Sequence, residues 1–144
     1  MPDDRELLVA RAREAAQKAH AAYSGIRVGA AIRAASGAVY TGCNVENASY
    51  PVGNCAEASA VAAGVGAEGD ALRIVETAVW ATDRDGRVLA ASPCGACRQR
   101  LHEFAAPEGL LVHFPWHGGE LRTTPLGELL PYAFTLQAGS RMRS

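Results

Sequence analysis

Hydrophobic and polar positions change their grouping several times along the chain, and each change predicts an element. Residues 5–22 are rich in Ala, Leu, Arg, Glu and Lys, all good helix formers, with Asp3 or Asp4 placed to cap the first turn. They predict a helix that covers one face of a sheet. From 26 to 45 the pattern turns to apolar and β-branched runs broken by Ala35-Ser36-Gly37, which predicts a β-hairpin. Residues 55–66 read as an Ala/Val-rich buried helix, and 74–82 as a strand closed by the turn residues Asp83-Arg84-Asp85-Gly86. A third helix is expected to begin near Pro93 or Cys94 and run through 96–104. A strand over 110–114, a short strand over 121–123 and a short helix after Thr124-Pro125 complete the order. Helix, hairpin, helix, strand, helix, strand, strand, helix fits a three-layer α/β/α sandwich with a mixed sheet.

Length and charge narrow the classes. A chain of 144 residues without repeats, low-complexity segments or a linker predicts one domain over 1–144, large enough to hold a real core. Net charge is -1 and no Lys/Arg block appears, so the electrostatic footprint of a nucleic-acid binder is missing and a small substrate is expected. The opening Met1-Pro2-Asp3-Asp4-Arg5-Glu6 is acidic where a signal peptide is basic, and no apolar run approaches membrane-spanning length. The expectation is a soluble, cytoplasmic protein with no membrane partner.

Against that background, the cysteines carry the chemistry. Cys55-Ala56-Glu57 is followed by Pro93-Cys94-Gly95-Ala96-Cys97, which puts Cys94 39 residues after Cys55. Without a secretion signal, metal binding is a better reading of C-x-x-C than a disulfide framework. Three thiolates suit zinc and leave the fourth tetrahedral position open for water, the catalytic arrangement. Glu57 is then placed to move protons without binding the metal. If Cys55 and the Cys94/Cys97 pair sit at helix N-termini, two positive dipole ends offset the thiolate charge. A closed structural site with Cys43 as fourth ligand is the rival reading. It leaves Glu57 without a purpose, and Cys43 falls in a strand with the alternation of a buried core thiol.

These segments, together with Tyr23-Ser24, Val28-Gly29-Ala30-Ala31, the run Thr41 to Tyr50 reading T-G-C-N-V-E-N-A-S-Y, Cys97-Arg98-Gln99 and Leu129-Leu130-Pro131-Tyr132-Ala133-Phe134, stand in the order found in one family. The chain resembles a zinc-dependent cytidine deaminase of the small homotetrameric type. The resemblance implies a cytidine-deaminase-like fold and one zinc per chain on Cys55, Cys94 and Cys97, with Glu57 as the proton-transfer residue. It implies deamination of cytidine and 2′-deoxycytidine in pyrimidine salvage, in a homotetramer whose active sites are shared between neighbouring chains. It further implies that the Ala56 amide holds the pyrimidine 2-carbonyl and that the Ser92 carbonyl accepts from the departing amine. Arg98 is expected to donate to thiolate sulfur. Tyr50 and Phe134 are expected near the active site at a subunit boundary.

Asn44 and Glu46, two apart on an expected strand, project from one face, and an amide beside a carboxylate suits a ribose diol. Read without the family pattern they are a strand-end turn pair; with it, they hold the sugar 3′-hydroxyl. Two positions depart from the pattern. Ile26 stands where relatives usually carry a phenylalanine against the pyrimidine, and Ala58 where many carry arginine directly after C-A-E. His113 and His117 have a spacing that can bind metal, but Phe114-Pro115-Trp116 between them breaks a helix, while His20 and His102 read as helix-surface residues. Rival functions are a deaminase for another cytosine-containing nucleoside, such as a blasticidin-like antibiotic, a non-catalytic zinc module, and an editor of RNA or DNA. Asn44 with Glu46 favours a plain ribose, and the lack of a basic groove counts against the editor.

Overall fold

The computed structural model describes residues 2–136. Its elements are α1 (Asp4–Ala16), β1 (Arg27–Ala34), β2 (Val39–Cys43), α2 (Ala56–Glu68), β3 (Ile74–Thr82), α3 (Gly95–Glu103), β4 (Leu111–Pro115), β5 (Leu121–Pro125) and α4 (Leu126–Leu129). The strands form one sheet in the order β2-β1-β3-β4-β5. It is mixed: β3 and β4 run parallel, and the other neighbouring pairs antiparallel.

Alternation along the strands makes the layers. Ala30, Ile32 and Ala34 of β1 face a core shared with Ala56, Ala60 and Val61 of α2 and Leu101 of α3. Ala31 of β1 and Ala78 of β3 face the other way, against Leu8, Val9 and Ala12 of α1. The sheet is therefore covered by α1 on one side and by α2 and α3 on the other. On the α1 side, a polar ladder crosses the strands: Arg33 Nε bonds Glu76 at 3.2 Å, His113 Nε2 donates to the other Glu76 oxygen at 2.8 Å, and His113 Nδ1 pairs with the Thr123 hydroxyl at 2.8 Å.

Two glycines set how closely helices lie on the sheet. A Cβ on Gly29 would stand 1.9 Å from the Ala12 carbonyl oxygen of α1, and one on Gly42 would stand 2.5 Å from the Ala60 nitrogen and 2.7 Å from the Ala56 oxygen of α2. Gly42 thus seats the helix whose first turn holds Ala56 and Glu57.

Two expectations are corrected here. The first helix stops at Ala16 rather than running to 22, because the chain peels away to pair with the segment after β2. His20 donates its amide to the Asn44 carbonyl at 3.1 Å and accepts from the Glu46 amide at 2.8 Å, so His20 is exposed but is not on a helix. Likewise β2 ends at Cys43, so Asn44 and Glu46 lie just beyond a strand rather than within it. The Asn44 side chain replaces the missing rung: Oδ1 accepts from the Val28 amide at 2.8 Å and Nδ2 donates to the Ile26 carbonyl at 2.9 Å.

Candidate active site

Cys55 and Cys94 occupy equivalent places in the fold, each an extended residue capping the N-terminus of a helix, α2 and α3 respectively. Cys97 follows in the first turn of α3 and is fully buried. The three sulfurs lie within 4.8 Å of one another, and all three are free thiols. Among the described residues this is the one cluster of three or more potential metal-ligating side chains. Cys43 is a half-buried free thiol on β2 outside it. Both ring nitrogens of His113 are engaged by Glu76 and Thr123, and His117 lies in the turn His117–Gly119. His102, half-buried on α3, pairs with the Thr135 hydroxyl at 3.1 Å.

The electrostatics of the cluster suit a divalent cation. Burial pushes the Cys97 thiol far up, and the neighbouring charges of Glu57, Cys55 and Cys94 push it further. Burial also raises Cys94, but the Cys97 amide, the Cys97 side chain and the Ala96 amide outweigh it and hold that thiol below the ordinary range. The amides at the start of α3 favour the Cys94 thiolate, and the crowding at Cys97 is what a soft-tolerant metal relieves. Glu57, only 5% exposed, has its carboxyl raised by burial, partly offset by its own backbone amide, by Cys97 and by the charge of Arg100.

A cavity of about 550 Å³ opens beside the thiols. Cys55, Glu57 and Cys94 border it with Ala56 and Ser92, and Asn44, Glu46 and Tyr50 belong to the same wall. Sequence reasoning therefore named residues that the fold brings to one place. Ile26 and Phe134 stand outside this wall, 41% and 67% exposed, and Tyr50 is 75% exposed.

The expected Arg98–sulfur contact is corrected. Arg98 gives Nε to the Pro93 carbonyl at 2.7 Å, Nη1 to the Leu129 carbonyl at 2.8 Å and Nη2 to the Ser92 hydroxyl at 3.0 Å. The planar fork is thereby committed to fixing the loop before Cys94. Arg100 makes the sulfur contact, from Nη1 to Cys97 Sγ at 3.4 Å. Its signal was legible as an i, i+3 spacing on a helix. Ser24 was also missed as a site residue: Tyr23 and Ser24 donate their amides to Glu46 Oε1 at 3.0 and 3.1 Å, and the Ser24 hydroxyl bonds the other carboxylate oxygen.

A mixed sheet between helices, with two helix N-termini presenting three thiols beside a buried carboxylate, defines a zinc-dependent deaminase class. Residues 2–112 match the family described as the cytidine and deoxycytidylate deaminase zinc-binding region. The chain is 38% identical over 132 residues to a cytidine deaminase of Sporosarcina psychrophila, covering 92% of each chain. It is 42% identical over 144 residues to the cytidine deaminase of Mycobacterium tuberculosis, covering 99% of each. The crystal structure of cytidine deaminase from Burkholderia pseudomallei superposes with a TM-score of 0.77 at 38% identity, over 92% of this chain and all of that one. The chain belongs to the cytidine deaminase family, with zinc as its cofactor at one ion per chain.

Proposed function

We propose that this enzyme deaminates cytidine and 2′-deoxycytidine hydrolytically, consuming water and giving uridine or 2′-deoxyuridine and ammonia. The observation that carries the reading is one cavity bordered at one end by Cys55, Cys94 and Glu57, with Cys97 completing the thiol cluster behind them, and at the other by Asn44 with Glu46. Cys55, Cys94 and Cys97 would hold the zinc, which would lower the pKa of water at the open position and so make a nucleophile available near neutral pH. Glu57 takes the proton from water, delivers it to ring nitrogen 3, and then helps protonate the leaving amine as carbon 4 exchanges nitrogen for oxygen. The Ala56 amide, free at the first turn of α2, holds the 2-carbonyl, and the Ser92 carbonyl accepts from the departing amine. Glu46 accepts from the ribose 3′-hydroxyl, and the second Nδ2 hydrogen of Asn44 donates to it.

The same reading takes residues 1–144 as one domain of a cytoplasmic homotetramer in pyrimidine salvage. Tyr50 and Phe134 then lie where a neighbouring chain completes each site, which fits their exposure in a single chain. Among the described residues no helix is long and apolar enough to cross a membrane.

Incubating purified protein with cytidine, 2′-deoxycytidine, free cytosine, a cytosine-containing antibiotic and other aminated nucleosides, and measuring ammonia release, tests the substrate. Highest kcat/KM on the two plain nucleosides is expected. Turnover confined to another member of the panel contradicts the assignment. Light scattering on active protein tests the assembly, and a fully active monomer would remove the shared-site reading of Tyr50 and Phe134.

A further inference from the structure

Three ionised thiolates around one divalent zinc leave an excess negative charge, and the Glu57 carboxyl is buried beside them. The cluster needs a cationic partner besides the metal. Arg98, the nearest arginine in sequence, spends its fork on Pro93, Leu129 and Ser92, and Ala58 on the first turn of α2 carries no donor at all. Arg100, almost one helical turn beyond Cys97 on α3, is the side chain that reaches a sulfur, and its charge is also felt at Glu57.

We propose that Arg100 is the positioning and charge-balancing residue of the zinc centre, acting through its hydrogen bond to Cys97 Sγ. The inference rests on the reading that Cys55, Cys94 and Cys97 bind zinc. A guanidinium donating to a ligand sulfur draws electron density from it and fixes its direction, so the sulfur's lone pairs are aimed rather than free to rotate. Outer partners of this kind typically change metal affinity or activity by roughly 10–100-fold when removed.

The test uses holoenzyme and two readouts that do not depend on turnover. The first is the rate of zinc transfer to a colorimetric chelator, and the second is the thiolate-to-cobalt charge-transfer band of cobalt-substituted protein. Arg100→Met is expected to release zinc about tenfold faster or more and to move the band to longer wavelength, because a sulfur without the donor gives up its electrons more readily. Arg100→Lys, which keeps the charge, is expected to fall between the two, while Arg100→Gln, which keeps a polar stem without the charge, is expected to shift as Arg100→Met does and is the variant read if Arg100→Met does not fold. Wild-type release rate and an unmoved band in the folded variant overturn the proposal. Cys94→Ser is the control for the underlying reading: if it keeps a full equivalent of zinc at the wild-type release rate, the three-thiol assignment fails, whatever Arg100 does.

Discussion

The Ser24 hydroxyl lies between two site elements, donating to the Glu46 carboxylate while accepting from the Ile26 amide at 2.9 Å. With the Tyr23 and Ser24 amides on the other Glu46 oxygen, a single turn fixes the carboxylate proposed above to meet the sugar. On that assignment Ser24 is a positioning residue for Glu46. Ser24→Ala is expected to raise KM for cytidine several-fold with little change in kcat, and to leave residual turnover of free cytosine unaffected. Equal losses on nucleoside and free base contradict this.

A pH dependence follows from the same contacts. The Ser24 hydroxyl and amide, with lesser help from the Tyr23 amide and the charge of His20, hold the Glu46 carboxyl below its ordinary range against the opposing effect of burial. A depressed pKa keeps the ionised form as pH falls, until the pH passes below that lowered value. Ser24→Ala raises the pKa, so the acid-side increase in cytidine KM should begin at higher pH than in wild type. Coincident KM–pH profiles would show that the hydroxyl does not govern this carboxylate.

Metal content separates an open from a closed site. Cys94→Ala is expected to lose zinc, while Cys43→Ala keeps a full equivalent, since the Cys43 sulfur lies outside the cluster. Equal loss in both variants, measured by elemental analysis, means that a fourth thiolate closes the site.

Much of this was legible in the sequence because the informative features are local. The span 74–82 is β3 to the residue, since an apolar run closed by Asp83-Arg84-Asp85-Gly86 leaves little choice of boundary. The C-A-E and P-C-G-A-C segments mark their own helix starts, because a residue that caps a helix and ligates a metal occupies one place in both patterns. What was not legible depended on contacts between segments. The end of α1 and the end of β2 are set by His20 pairing with Asn44 and Glu46, some 24 residues apart, which no local propensity encodes. The spacing of Arg100 from Cys97 was there to be read, but that Arg98 turns away from sulfur depends on the Leu129 carbonyl and the loop at Ser92 and Pro93, which lie on other segments.

Packing around Gly42 gives a test of how the site is held. A Cβ there would stand within 2.7 Å of the Ala56 oxygen, so Gly42→Ala must lift the start of α2 from the sheet. Forcing such a contact costs about 1–3 kcal/mol. Because the displaced turn carries Glu57, kcat is expected to fall together with Tm. A variant that loses stability while retaining wild-type kcat would show that α2 is positioned by other contacts.

Everything proposed for the reaction turns on Glu57 as the group that moves the protons of a zinc-dependent deamination. The most direct test of that role is kcat for cytidine in Glu57→Gln, measured beside zinc content and Tm on the same preparation. One zinc per chain, an intact fold and a loss of roughly 10²–10⁴-fold in kcat, the contribution of a well-placed acid/base, are expected. A zinc-loaded, folded Glu57→Gln enzyme working within about tenfold of wild type would contradict it.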